Sequence, residues 1–182
     1  MNNQEALEAL LERINFWIGN VDAKVSFLLS LTTVILGLLL ADSATKIFLE
    51  QYLTNFKDNW LSLEIIGFLV FLIVILSLIG AILCFLQALK GRINSKEYEQ
   101  DDLVTNSLLH WGNIAGKKYT EFSSEFKERV DEEKILEDFT SQIYINSLIV
   151  NTKFKCYNTG ILLLIIGGIA FIILKICLLF YR

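Results

Sequence analysis

The chain has 182 residues, 54% of them hydrophobic and 20% charged, with a mean hydropathy of +0.51. That apolar share exceeds the ~45–50% of soluble domains and excludes a largely disordered chain. A formal net charge of −4 lacks the basic footprint of nucleic-acid binders, so no nucleic-acid partner is expected.

Residues 1–18 carry Leu7, Leu10, Leu11, Ile14, Trp17 and Ile18 at helical spacing, with Glu8, Glu12, Arg13 and Asn15 on the other face. They predict an amphipathic cytosolic helix. Residues 19–41 follow as a first membrane helix, since ~20 apolar residues cross a bilayer core ~30 Å thick. Glu5, Glu8 and Glu12 precede this span and no basic n-region does, so it is not a cleavable signal peptide. Residues 42–60 form an outer loop. There Ile47, Phe48, Tyr52 and Phe56 predict a short interfacial helix, with Trp60 as the aromatic anchor.

The second span covers 61–89, with Glu64 in its first turn, where an acid complements the helix N-terminus. Residues 90–158 form a helical insert. A short helix is expected from Tyr119, and the charged stretch 125–138 reads as the solvated start of another. In that second helix Ile135, Phe139, Ile143, Val150 and Phe154 mark one face, and it runs into a third span at 159–181. Gly80, Gly160, Gly167 and Gly168 suit close helix approach. Proline is absent, so no helix is broken by a missing backbone donor. Cys84, Cys156 and Cys177 read as small buried hydrophobes, not as a disulfide framework.

The expected fold class is therefore an all-α membrane protein: three transmembrane helices, with a helical cytosolic insert between the second and third. Of the 16 Lys and Arg residues, 12 fall before or at the start of the first span and on the insert, and 4 on the outer loop and C-terminal end. This bias places the N-terminus and insert in the cytosol and the C-terminus outside.

Catalytic chemistry finds no support in the sequence. His110 is the one histidine and reads as a packing residue. No cysteine pair has metal-ligand spacing, and no Gly-rich phosphate loop, nucleophile elbow or HExxH pattern occurs. An enzyme, a metal and a bound cofactor are not expected.

More specific is the entry to the first span, where Asn20, Asp22 and Lys24 interrupt the apolar pattern. On a helix Asn20 and Lys24 share a face, and Asp22 and Ser26 share the opposite one. Ionisable groups at a membrane entry are costly unless paired or wetted. The three are expected to couple the insert to the first membrane helix.

These residues also carry a resemblance. The run Phe16-Trp17-Ile18-Gly19-Asn20-Val21-Asp22-Ala23-Lys24 before an apolar span resembles the start of the Pycsar transmembrane effector family. A second stretch, Ser107-Leu108-Leu109-His110-Trp111-Gly112-Asn113-Ile114-Ala115, resembles that family's aromatic-Gly-Asp/Asn-Ile-Ala segment, and Tyr119-Thr120-Glu121-Phe122 follows it. A third is Gln142-Ile143-Tyr144-Ile145-Asn146-Ser147 with Lys153 and Phe154. Together they span residues 16–160 in the family's order.

The resemblance implies a bacterial antiviral effector of the inner membrane. A phage-responsive partner cyclase makes a cyclic pyrimidine mononucleotide, and the membrane protein then impairs membrane integrity. A nucleotide bound at the cytosolic membrane surface would find phosphate contacts in Lys117, Lys118 and Lys153. Trp111, Tyr119 and Tyr144 offer faces for base stacking, worth ~1–3 kcal/mol per base.

Three spans are too few to enclose a wide pore, so a homo-oligomer embedded in lipid is expected, with Lys175 and Glu64 at a shared, water-reachable interface. An alternative is a non-gated membrane adaptor that recruits a soluble partner through the insert. A small transporter ranks lowest, because inverted repeats and midplane charges are missing.

Overall fold

The computed structural model describes residues 3–55, 63–91, 100–101, 103–129 and 132–180. Among them every regular element is helical. Six helices follow in order: α1 Asn3–Ala41, α2 Ser43–Asn55, α3 Leu63–Lys90, α4 Trp111–Ala115, α5 Tyr119–Arg129 and α6 Glu132–Phe180. Phe56, Trp60 and the side chain of Glu64 lie outside the described residues.

Without proline, helices propagate until a turn residue or a cap stops them. At 1.5 Å per residue, the 39 residues of α1 and the 49 of α6 extend roughly 58 and 74 Å, well beyond a ~30 Å bilayer core. The helix of residues 3–18 continues through Gly19 into the first span without a break, and α6 runs unbroken from the insert into the third. Helices α1, α3 and α6 are each long and apolar enough to cross a membrane.

The chain divides into two compact units. The first holds Met1–Val21 and Gly91–Lys153, the second Asp22–Lys90 and Phe154–Arg182.

In the second unit the core is built from all three span helices. Leu39 of α1, Val74 and Leu78 of α3, and Ala170 and Leu174 of α6 are buried together. Ile35, Phe71 and Phe171 pack around them. The opposite faces stay apolar and exposed: Phe27, Leu76 and Ile172 are each at least 60% accessible. Apolar faces of that extent suit lipid rather than water. Gly160 lets α6 approach α3 so closely that a Cβ there would meet Cε1 of Phe85 at 2.5 Å. Gly80 and Gly167 likewise face α6 or α3 side chains of this same chain, whereas Gly168 has open space around its Cβ position.

A single residue, Asp42, separates α2 from α1. Asp42 accepts the Thr45 backbone N–H at 2.7 Å and the Thr45 hydroxyl at 2.6 Å, an N-cap that restarts the helix. Phe48 and Tyr52 are buried, whereas Ile47 is exposed. Phe48 packs at Gly67, and Tyr52 stacks on Phe68 with ring centroids 4.2 Å apart.

Candidate functional site

In the first unit, the amphipathic start of α6 supports a segment with no regular structure. Residues 100–101 and 103–110 run antiparallel to the helix and are fastened to it one helical turn at a time. Gln100 Nε2 donates to the Tyr144 hydroxyl at 3.1 Å, the Val104 N–H to Ser141 Oγ at 3.0 Å, and the Leu108 N–H to Asp138 Oδ2 at 2.9 Å. A coil that packs against a helix must satisfy its own backbone donors, and side chains of α6 do so here.

That requirement explains the α6 stripe. The apolar spacing predicts Ile135, Phe139, Ile143, Val150 and Phe154 as the covered face, yet these are only half-buried. The buried positions are Asp138, Ser141, Gln142, Ile145 and Lys153, and of these Asp138 and Ser141 accept backbone N–H groups of the coil. Asp138, expected at a solvated start, is 6% exposed. Its 138, 141, 142, 145 spacing was the available signal, hidden by the surrounding charge.

The coil is also clamped from its other end. Asn113 Nδ2 donates to the carbonyls of Thr105 and Ser107, both at 3.2 Å, and Ser107 Oγ accepts the Leu109 N–H at 3.0 Å. Asn113, at the centre of the Trp-Gly-Asn-Ile-Ala stretch, therefore has an architectural task. Asn146 Nδ2 donates to Asn15 Oδ1 at 3.0 Å, joining the starts of α6 and α1.

The six residues proposed for nucleotide contact fall in different surroundings. Trp111 and Tyr119 are 78% and 81% exposed, and Trp111 stacks on His110 at 5.7 Å. Lys118 is exposed beside them in sequence, while Lys117 forms an ion pair with Glu125. Tyr144 holds Gln100. Lys153 is 4% exposed, its Cε lying 2.8 Å from the Cβ position of Gly91, which takes a left-handed φ of 57° just after α3.

At the entry to the first span, Lys24 is exposed, Asp22 is half-buried, and Ser26 Oγ donates to the Asp22 carbonyl at 2.8 Å. The Oδ1 atom of Asn20 is buried with no hydrogen-bond partner among the described residues.

A cavity of about 190 Å³ opens in the first unit, and none of the six residues lines it. Its walls are Leu108 and Leu109 of the coil, Phe126 of α5, and Ile135 and Phe139 of α6. Gln4, Lys134 and Asp138 supply its polar groups. With Oδ2 committed to Leu108, Asp138 Oδ1 is buried without a partner among the described residues.

Three membrane-length helices, with shorter helices and a pinned coil between the second and third, define a multi-pass α-helical membrane protein. The Pycsar effector protein domain matches residues 6–180, and the chain belongs to that family of antiviral defence proteins of bacterial membranes. It is 32% identical to a Pycsar effector protein of Gulbenkiania mobilis over 182 residues, covering 94% of this chain and 90% of the relative. No solved structure matches.

Proposed function

We propose that the protein is the membrane-acting effector of an anti-phage cyclic-nucleotide signalling system. A cyclic pyrimidine mononucleotide from a partner cyclase reaches the 90–158 insert on the cytosolic side. The protein assembles as a homo-oligomer, and its activation impairs inner-membrane integrity. The carrying observation is the match to the effector family over residues 6–180, which takes in all three candidate spans and the insert between them.

Supporting physics comes from the helices themselves. Because α1 and α6 each run unbroken from the first unit into the second, the same two helices serve the first unit and the core of Leu39, Leu78 and Leu174. The 12-to-4 cation bias supports a cytosolic N-terminus and an outside C-terminus.

The direct test is co-expression with a cyclase making cyclic pyrimidine nucleotides, read by a membrane-potential dye. Rapid depolarisation that needs both proteins supports the reading. A membrane that stays polarised while nucleotide accumulates contradicts it.

A further inference from the structure

The cavity beside Asp138 has three features that together describe a ligand. It is lined by aromatic and aliphatic side chains, Phe126, Phe139, Leu108, Leu109 and Ile135, which accept a flat body. It contains one buried carboxylate whose second oxygen lacks a donor among the described residues, although buried polar atoms are nearly always satisfied. And it carries an exposed cation, Lys134, one helical turn before Asp138.

The cavity also has room for such a body. A cavity of about 150 Å³ takes one benzene ring. At about 190 Å³ this one accommodates a pyrimidine ring with its substituents.

On these grounds, and resting on the function proposed above, we infer that this cavity is the receptor site for a pyrimidine cyclic mononucleotide. The base enters between the aromatic walls. An N–H on its pairing edge, the cytosine amine or the uracil imide, donates to Asp138 Oδ1, as carboxylates accept from such edges elsewhere. Lys134 at the wall meets the cyclic phosphate. Asp138 thus has two tasks: one oxygen pins the coil at Leu108, and the other reads the base.

Occupancy has a structural consequence. A donor bound at Oδ1 and an anion at Lys134 both load the first turns of α6, the helix that continues into the third span. Nucleotide binding is therefore placed directly on an element that crosses the membrane.

The experiment is calorimetric titration of the full chain in detergent with the 3′,5′-cyclic monophosphates of cytidine, uridine and adenosine. Three proteins are compared: the unsubstituted chain, Asp138→Asn and Lys134→Ala. Asp138→Asn keeps an oxygen for the Leu108 N–H but presents an amide donor in place of Oδ1. Lys134→Ala touches only an exposed side chain, so helicity and melting should be unchanged.

Binding of a pyrimidine nucleotide, with the purine much weaker, is expected. Each substitution should weaken it by about ten- to a hundredfold, the range for a hydrogen bond to a charged group. Pyrimidine binding left intact in both variants overturns this site while leaving the proposed function standing. Binding of no cyclic nucleotide by the unsubstituted chain overturns direct nucleotide reception, and this site with it.

Discussion

Lys175 Nζ lies 2.6 Å from Asp42 Oδ2, joining the far end of α6 to the turn between α1 and α2. The sequence alone suggests that a lysine in the third span needs a neighbouring subunit or water. The structure instead gives it a carboxylate of its own chain, with the Phe171 ring 5.5 Å away. Lys175 therefore lends no support to an oligomer.

The same pair makes a pH prediction. The Lys175 hydrogen bond first, and the Thr45 hydroxyl second, lower the Asp42 pKa from 3.8 to about 2. A carboxyl depressed on folding stabilises the fold fully above its unfolded value, and the contribution fades as pH falls through about 2. Asp42→Asn retains a capping side chain but loses the charge, so it should cost about 1 kcal/mol at neutral pH. Thermal melting in detergent between pH 7 and pH 2 should show the two proteins converging at the acid end. A difference independent of pH would show that the ion pair contributes nothing.

Gly160 and Gly168 make a matched pair. A Cβ at 160 meets the Phe85 ring, so Gly160→Ala should cost about 1–3 kcal/mol by overpacking. At 168 the space is open within the chain, and Gly168→Ala should change stability by less than about 0.5 kcal/mol. Melting of both variants in detergent checks this. Equal losses would mean the α3–α6 approach is not set at Gly160.

Asn113→Ala removes both clasps on the coil at Thr105 and Ser107 and should loosen it by about 1 kcal/mol. Hydrogen exchange at 105–109 should accelerate while exchange along α3 stays unchanged. Uniform acceleration would assign Asn113 to global stability instead.

Asn20, Asp22 and Lys24 lie where α1 leaves the first unit and enters the second, between Val21 and Asp22. We expect Asp22→Ala to abolish toxicity in activated cells while membrane insertion is retained. Full toxicity of both Asp22→Ala and Lys24→Ala would reduce the cluster to an interfacial anchor.

The membrane helices were legible because their signal is summed over many residues. Twenty apolar side chains in a row tolerate few other readings, and the absence of proline left α6 free to run through the insert into the span. The short helices over residues 43–55 and from Tyr119 followed as well. Asp138 did not, because its burial depends on a partner 30 residues away. Leu108 shows nothing in sequence of the N–H it must satisfy. Lys153 is hidden for the same reason, since its packing is against Gly91, 62 positions earlier. Aromatic residues such as Trp111 and Tyr119 stand out in a sequence by type, whereas an apolar cavity with one buried acid appears only when its walls are brought together.

Purified protein in dye-loaded vesicles tests the central claim most directly. With the insert facing the added solution, a cyclic pyrimidine mononucleotide should release the dye from protein-containing vesicles and leave protein-free vesicles intact. Cyclic adenosine monophosphate should release far less. If correctly inserted protein releases no dye with any cyclic nucleotide, at concentrations well above those that bind, the protein is not a nucleotide-activated membrane effector.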